Sequence, residues 1–310
     1  MVTGCAGFIG SHLCERLLNE GYEVIGIDSI TNYYSPTLKY RNLEVLKRYL
    51  KFKFLKFDLV RDDLQFLPIP NIVLHLAAQP GVRTSWGSNF KVYVERNLIA
   101  TQRLLERFKE CKNVKFIVAS SSSVYGNIAN GPASEDHTPV PISPYGITKL
   151  AMEKLCYAYH VNYGLPILLL RYFTVYGPRQ RPDMAFYRFI TSALGGRPII
   201  IFGDGKQKRD FTYIDDAVNA TVLSLNLDTQ FEIMNVGTGN PVMVLKAVRL
   251  IEEVLGKSVE LEFHSGQAGD VNQTWADVSK ARRLIGYFPK ISLEQGLRKQ
   301  IEWQVSVLKE

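Results

Sequence analysis

Tyr145 and Lys149 stand four residues apart in SPYGITK, a spacing with chemical consequences. On a helix such residues share a face. A free phenol titrates near ~10 and is a poor base at neutral pH. A neighbouring ammonium stabilises the phenolate and brings that value down. Tyr145 would then take a proton from a hydroxyl while hydride leaves the same carbon. Lys149 would also hold a nicotinamide ribose. The plain alternative is an exposed helical pair, because YxxxK arises readily by chance. The run Ser120–Ser123 weighs against it, since it lies about one helix-and-loop unit upstream. A serine hydroxyl there can donate to the same substrate oxygen.

Hydride needs an acceptor, and the N-terminal segment supplies a site for one. Gly4, Gly7 and Gly10 of GCAGFIG follow an apolar strand at Met1–Thr3. After them, Leu13, Leu17 and Leu18 repeat at helical spacing, and Gly21 is placed to end the helix. YEVIGID is a second strand ending at Asp28. The glycines permit a tight turn and close approach of a pyrophosphate. The helix N-terminus offers that anion unpaired N–H groups and a partial positive charge. Asp28 can accept hydrogen bonds from an adenosine ribose. It repels a ribose 2′-phosphate, and no arginine lies from Ser29 to Leu38, so the expectation is NAD over NADP. The spacing is GxxGxxG rather than GxGxxG, and such turns also simply pack helices on sheets. Strand, helix and Asp28 together carry the cofactor reading.

The elements that must position these residues alternate. KFKFLKFDL reads as a strand ending at Asp58, and NIVLHLAA, Asn71 to Ala78, as a buried one. VKFIVASSSSVYG ends a further strand at Ser120–Ser123, and Leu165 to Leu170 is another apolar run. Helical stretches lie between, such as Leu98 to Phe108. Ser143 is a plausible N-cap and Pro144 suits the first turn of a helix carrying Tyr145 and Lys149. Alternating strands and helices predict an α/β, Rossmann-type doubly wound parallel sheet. Ligands then sit at the carboxyl ends of the strands, where the glycine turn, Asp28, Asp58, Ala77–Ala78 and the serines converge.

Composition narrows the class. The 310 residues are 46% hydrophobic, enough for one large domain or two interlocked ones. Charged residues reach 22% without low-complexity tracts, which argues against disorder. The apolar runs are strand-sized, so no membrane span is expected. The N-terminus shows no secretion pattern. Cys5, Cys14, Cys111 and Cys156 lack CxxC spacing and read as reduced thiols of a cytoplasmic protein. The net charge of +7 raises nucleic acid. The basic residues are spread out, however, and the one cluster, Lys47 to Lys56, alternates with aromatics and leucines like a strand with one solvated face. No nucleic-acid partner is expected, and a basic surface equally attracts a small anionic substrate. The five histidines show no metal spacing, so no metal is expected, and His75 in LHLAA reads as a core residue. Tyr33–Tyr34 is either a stacking platform or an ordinary loop pair.

The glycine turn, Asp28, LHLAAQPGVR, the serine run with VYG, and YxxxK together resemble the extended short-chain dehydrogenase/reductases. More narrowly they are similar to the nucleotide-sugar epimerases and dehydratases. The resemblance continues through RYFTVYGPRQRP, IIIFGDGKQKRDFTYIDD, NVGTG and the SKARRLIGY segment, covering nearly the whole chain. The loop DSITNYYSPTLKYRNL and the string GPRQRPDMAF are most similar to the UDP-glucuronate 4-epimerase subfamily.

The resemblance implies a homodimer built from two helices per subunit and a split substrate domain. On that basis residues 1–172 plus about 212–238 form the NAD-binding domain, and about 173–211 plus 239–310 a smaller mixed α/β domain that binds a UDP-sugar. It implies a cofactor site of Gly4, Gly7, Phe8, Ile9, Gly10, Asp28, Asp58, Leu59, Leu76, Ala77, Ala78, Tyr145 and Lys149. Ser121, four residues before Tyr125 of VYG, is the implied hydroxyl partner of Tyr145. The implied substrate contacts are Arg83, Ser121, Ser122, Ser123, Tyr145, Thr174, Arg181, Ile200, Phe202, Arg209 and Asp270. Of these, Arg209 would meet the diphosphate, and Ile200 and Phe202 the uracil. Two departures stand out: Thr174 where most relatives carry asparagine, and Gln267 two residues before Gly269–Asp270 where many carry arginine.

Arg179 and Arg181 sit among prolines after the Leu165–Leu170 run. Arg181 would pair with the C5 carboxylate of a uronic acid through its guanidinium fork; the alternative is that it faces solvent or the UDP phosphates. The implied activity is reversible, NAD-dependent C4 epimerisation of UDP-glucuronate to UDP-galacturonate through a 4-keto sugar. The alternatives are a UDP-glucose 4-epimerase, a UDP-glucuronate decarboxylase and a non-catalytic NAD-sensing module.

Overall fold

A computed structural model of the chain describes residues 1–111, 113–128 and 131–308. Its largest element is a seven-stranded, wholly parallel sheet. Six of its strands come in sequence: β1 (Val2–Thr3), β2 (Val24–Asp28), β3 (Phe52–Lys56), β4 (Ile72–His75), β5 (Lys115–Ser121) and β6 (Ile167–Tyr172). The seventh, β10 (Phe231–Val236), joins at the far edge. The order is β10-β6-β5-β4-β1-β2-β3, so the chain reverses direction across the sheet between β1 and β4. A crevice opens at such a switch point, outside the carboxyl ends of the strands.

The central strands are covered on both faces and read as continuous apolar runs; all six residues of β6 are buried, Arg171 among them. Edge strand β3 instead exposes Lys53 and Lys56 and half-buries Phe52 and Phe54, as the alternating pattern predicts.

The covering helices include α1 (Phe8–Asn19), α2 (Pro36–Leu46), α3 (Phe90–Tyr93), α4 (Ala100–Phe108) and α5 (Pro144–Tyr163). α5 starts as its sequence predicts. The Ser143 hydroxyl accepts the Gly146 N–H at 3.1 Å, and Gly164, at φ 69°, ends the helix.

Three boundaries differ from the sequence reading. β3 stops at Lys56, because the Asp58 carboxylate accepts the Val60 N–H at 2.9 Å and turns the chain. β4 stops at His75, and the Ala77 N–H donates to Thr3 Oγ1 at 3.1 Å rather than to a strand. The helical run expected from Leu98 begins at Phe90 and widens into a π-turn over Val94–Ile99. That turn buries Asn97, whose amide bonds both Gln79 backbone groups and donates to Thr148 Oγ1 at 2.9 Å. It thereby ties the end of β4 to α5.

The rest of the chain builds two small sheets. β7 (Thr174–Tyr176), β9 (Lys208–Tyr213) and β11 (Pro241–Met243) form a mixed three-stranded sheet, and β8 (Ile199–Phe202) pairs with β12 (Leu261–His264) in parallel. Against them pack α6 (Ala185–Leu194), α8 (Val244–Leu255) and α10 (Leu293–Leu308); α7 (Ile214–Leu223) packs on α1 and α9 (Ser279–Ile285) on β10.

His75 is the satisfied core residue its setting predicts. It is buried between Thr3 Oγ1, 2.7 Å from Nδ1, and Thr101 Oγ1, 3.0 Å from Nε2. Burial, with the Lys149 charge adding to it, pushes its pKa down to about 3. Below pH 6.5 the unfolded imidazole takes a proton that the folded one refuses, so stability is full above that pH and falls as pH drops. For one such group the expected loss between pH 7 and 5 is about 2 kcal/mol. Denaturant unfolding of wild type and His75→Asn at both pH values tests this. The variant should lose that share of the pH dependence, and an unchanged slope would refute a neutral buried imidazole.

Candidate active site

A cavity of about 370 Å³ lies at the switch point. Its floor is the turn after β1. Gly4 has φ +73°, and a Cβ on it would lie 2.9 Å from the Ala77 nitrogen. A Cβ on Gly10 would lie 2.1 Å from the Gly4 carbonyl oxygen, so only glycine lets α1 start this close to the strand. α1 has no side-chain cap at Gly7, which leaves its first N–H groups for a ligand. Asp28 accepts N–H bonds from Ala6 (3.1 Å) and Ile30 (2.8 Å). Burial raises its pKa, and the Ile30 and Ala6 bonds, Lys39 and Arg96 oppose that rise.

The cavity wall brings together most of the residues the sequence singled out. Gly4, Gly7, Phe8, Ile9, Gly10, Asp28, Leu59, Leu76, Ala77 and Ala78 lie at one end, and Ser121, Ser122, Ser123, Tyr145, Lys149, Thr174 and Arg181 at the other. Six lie outside this wall. Asp58 sits behind it, bound to Arg96 Nη1 at 2.7 Å. Arg83, Phe202, Arg209 and Asp270 form a neighbouring cluster: Arg83 donates to Asp270 Oδ2 at 2.8 Å and stacks over the Phe202 ring at 4.2 Å. Arg209 interacts electrostatically with both Asp270 and Arg83. Ile200 lies beside Phe202 on β8. This cluster adjoins the cavity, since Gly269 packs against Val82 of its wall.

At the reactive end Ser121 and Lys149 are buried, and Tyr145, Thr174 and Arg181 are half-buried. Burial raises the Tyr145 pKa, while the Ser121 hydroxyl and the Arg181 charge lower it. The Arg181 charge thus bears on the phenol, a contribution the i, i+4 spacing does not suggest, and Lys149, one turn along α5, donates from Nζ to the Ala119 carbonyl at 2.7 Å. Burial brings the Lys149 pKa down to about 8, against the pull of Glu153.

The two loop arginines separate. Arg179, at φ 62°, reaches away to Glu15 Oε2 at 2.6 Å. Between them Gln180 is buried, and its Oε1 accepts from Gln300 Nε2 at 2.7 Å. Arg181 turns into the cavity, where Nε and Nη2 hold Asp183 at 3.0 and 3.1 Å. The Tyr33 hydroxyl donates to the same carboxylate at 3.2 Å.

Several wall residues carried no local signal. Lys39 lies just past the Ser29–Leu38 stretch, and Arg96 looks like an ordinary helical arginine, yet both line the cavity beside Asp28. They are engaged, Arg96 by Asp58 and Lys39 by the Thr31 carbonyl at 2.7 Å. Met184 and Phe173, which stand inside the GPRQRPDMAF and RYFTVYGPRQRP strings, also line the wall. Among the described residues no group of His, Cys, Asp and Glu is arranged to hold a metal ion. The assembled chemistry is a phenol and a serine hydroxyl for proton transfer at an alcohol, an arginine for an anion, and a glycine turn with an acid for a dinucleotide.

Known proteins are similar to this chain over nearly its whole length. UDP-glucuronic acid 4-epimerase from Bacillus cereus, solved with UDP-glucuronic acid and NAD, is 47% identical; the match covers 99% of this chain and 98% of that one at a TM-score of 0.95. A Bacillus subtilis protein described as an uncharacterized UDP-glucose epimerase is 47% identical, across 99% of this chain and 98% of its own length. UDP-glucuronate 4-epimerase from Thermodesulfobacterium geofontis is 43% identical, across 98% and 95%. The model of the GDP-mannose 4,6 dehydratase family matches residues 1–300, and the chain belongs to that family, among the extended short-chain dehydrogenase/reductases.

Proposed function

We propose that this protein catalyses the NAD-dependent, reversible inversion of C4 in UDP-glucuronate, giving UDP-galacturonate. The observation that carries the reading is Arg181, half-buried and lining, with Tyr145, Thr174 and the Ser121–Ser123 run, the same cavity as the glycine turn and Asp28. Asp183 already holds Nε and Nη2 of its guanidinium; the remaining N–H groups can take a carboxylate through a charge-assisted bond that a neutral C5 substituent does not offer.

Gly4, Gly7, Gly10 and Asp28, with Lys149 at the nicotinamide end, hold the cofactor. The chemistry NAD supplies when bound is reversible acceptance of an electron pair together with the C4 hydrogen. Tyr145 takes the O4 proton and later returns it, and Ser121 donates to the same oxygen. The 4-keto sugar turns over in the pocket and is reduced on its other face. As a β-keto acid it can lose carbon dioxide. Arg181, Thr174, Ser122 and Ser123 hold the carboxylate so that its breaking bond stays out of line with the keto π system. Arg209 meets the diphosphate, Asp270 and its partner Arg83 stand beside it in the substrate site, and Ile200 and Phe202 border uracil.

The division is the one the family resemblance implies: an NAD domain of residues 1–172 plus about 212–238, and a substrate domain of about 173–211 plus 239–310. Two copies pair through the exposed apolar residues of α5, Ile147, Tyr157 and Val161, with Val92 and Ile99 beside them. Four unpaired cysteines fit a reducing, cytoplasmic setting. No helix among the described residues is long and apolar enough to cross a membrane.

Incubation with UDP-glucuronate, UDP-glucose and UDP-xylose, products resolved by chromatography, tests the reading. UDP-galacturonate is the expected main product, and NAD the nucleotide released on denaturing the protein. Main turnover of UDP-glucose, a UDP-pentose product, or no reaction would point instead to the glucose epimerase, the decarboxylase or a cofactor-sensing role.

A further inference from the structure

Beneath the serine run lies an ion pair that the proposed chemistry does not use. Glu153 is on α5, one turn beyond Lys149, and Arg171 is on β6; they are 3% and 2% exposed. Arg171 Nε and Nη2 donate to the two Glu153 oxygens at 2.9 and 2.7 Å. The same carboxylate accepts the Ser120 hydroxyl at 2.5 Å. Ser120 pairs with Arg171 across β5 and β6, and the preceding residue, Ala119, supplies the carbonyl that holds Lys149. The Arg171 guanidinium also lies over the Tyr125 ring, 4.7 Å from its centre. One carboxylate thus joins the strand end bearing Ser121, the neighbouring strand, and the helix bearing Tyr145 and Lys149.

Stability alone does not call for this arrangement. Desolvating two charges is expensive, and apolar residues of similar volume generally serve a core as well or better. A brace made of charge has a second effect that an apolar brace lacks: it sets the field at Lys149.

We propose that Glu153, held by Arg171, is a positioning residue of the reaction, fixing Ser121 against the Tyr145–Lys149 face and keeping Lys149 protonated beneath it. The proposal rests on the epimerase reading above for its reaction but not for its electrostatics. The groups facing Lys149 are few. On its own helix they are Tyr145, Glu153 and Cys156. His75 on β4 is neutral and feels the Lys149 charge. Tyr93 of α3 packs against Tyr145, Arg96 of the π-turn is committed to Asp58, and Glu106 of α4 pairs with Lys109 and Tyr159 farther along. Glu153 is the carboxylate that opposes the burial of Lys149.

The test is Glu153→Gln, which keeps the shape and removes the charge. Misplacement of Ser121 should lower kcat on the order of tenfold with KM within about twofold, a small positional error being sufficient for that loss. Lys149 should lose its proton earlier, so the alkaline limb of kcat should move down by about one pH unit. The Lys149 resonance in protein labelled with 13C-lysine, assigned through Lys149→Arg, reports that ionisation without any turnover. Because Glu153→Gln strands Arg171, the double variant Glu153→Gln/Arg171→Met keeps the question open to measurement: thermal stability should return, while kcat and the lysine titration stay shifted. A double variant that regains wild-type kcat and titration makes the pair a brace only and overturns the proposal. So does a Lys149 titration that does not move in Glu153→Gln. If the wild type turns over none of the three UDP-sugars, the epimerase reading fails while the lysine titration still decides this one.

Discussion

Tyr145→Phe is expected to lower turnover of UDP-glucuronate by at least ~100-fold, the scale of a positioned acid–base group, while binding of the UDP-sugar persists. The substitution keeps the ring and its edge contact with Tyr93, 6.1 Å between centres, and removes only the hydroxyl. The fold should tolerate it, because Tyr145 packs through its ring. No second base stands ready. His75 is buried and neutral, and Lys149 is engaged by the Ala119 carbonyl. Single-turnover assays with titration of UDP-sugar binding separate the two quantities. Turnover near that of the wild type would remove Tyr145 from the mechanism and with it the reading of this end of the cavity.

Arg181→Ala should change which sugar the enzyme prefers. A carboxylate left in a partly buried pocket without its cation loses a charged hydrogen bond, on the order of 1.5–3 kcal/mol. The ratio of catalytic efficiencies, UDP-glucuronate over any weak UDP-glucose activity, should therefore fall roughly tenfold to a hundredfold. The ratio is the quantity to read, because Arg181 also lowers the Tyr145 pKa. Without that charge the phenol titrates higher and the rate profile of both sugars moves up in pH, a loss they share. A freed carboxylate can also rotate into line with the keto π system, so a UDP-pentose by-product should increase. Equal loss for both sugars would mean that Arg181 serves the phenol, UDP or the fold, and the claim for a uronic acid would rest on the hydroxyls alone.

What the chain's order of residues determined by itself is the architecture and the set of candidate reactive groups. Apolar runs bounded by turn residues and separated by helical repeats compel a parallel sheet, and a parallel sheet puts its strand ends on one edge. Glycines at positions 4, 7 and 10, Asp28, the serine run and Tyr145 with Lys149 are local patterns with local meaning, and the Ser143 cap formed as read. The tertiary structure alone decided how charge is distributed among them. Lys39 and Arg96 reach Asp28 from two other elements. Arg179 and Arg181, two residues apart, part company because a left-handed residue and the buried Gln180 lie at that bend. The Arg181 charge bears on the phenol from a loop far along the chain, and Lys149 answers to Glu153 and a strand carbonyl. Electrostatic influence depends on distance and burial across elements far apart in sequence, and spacing along one helix records neither.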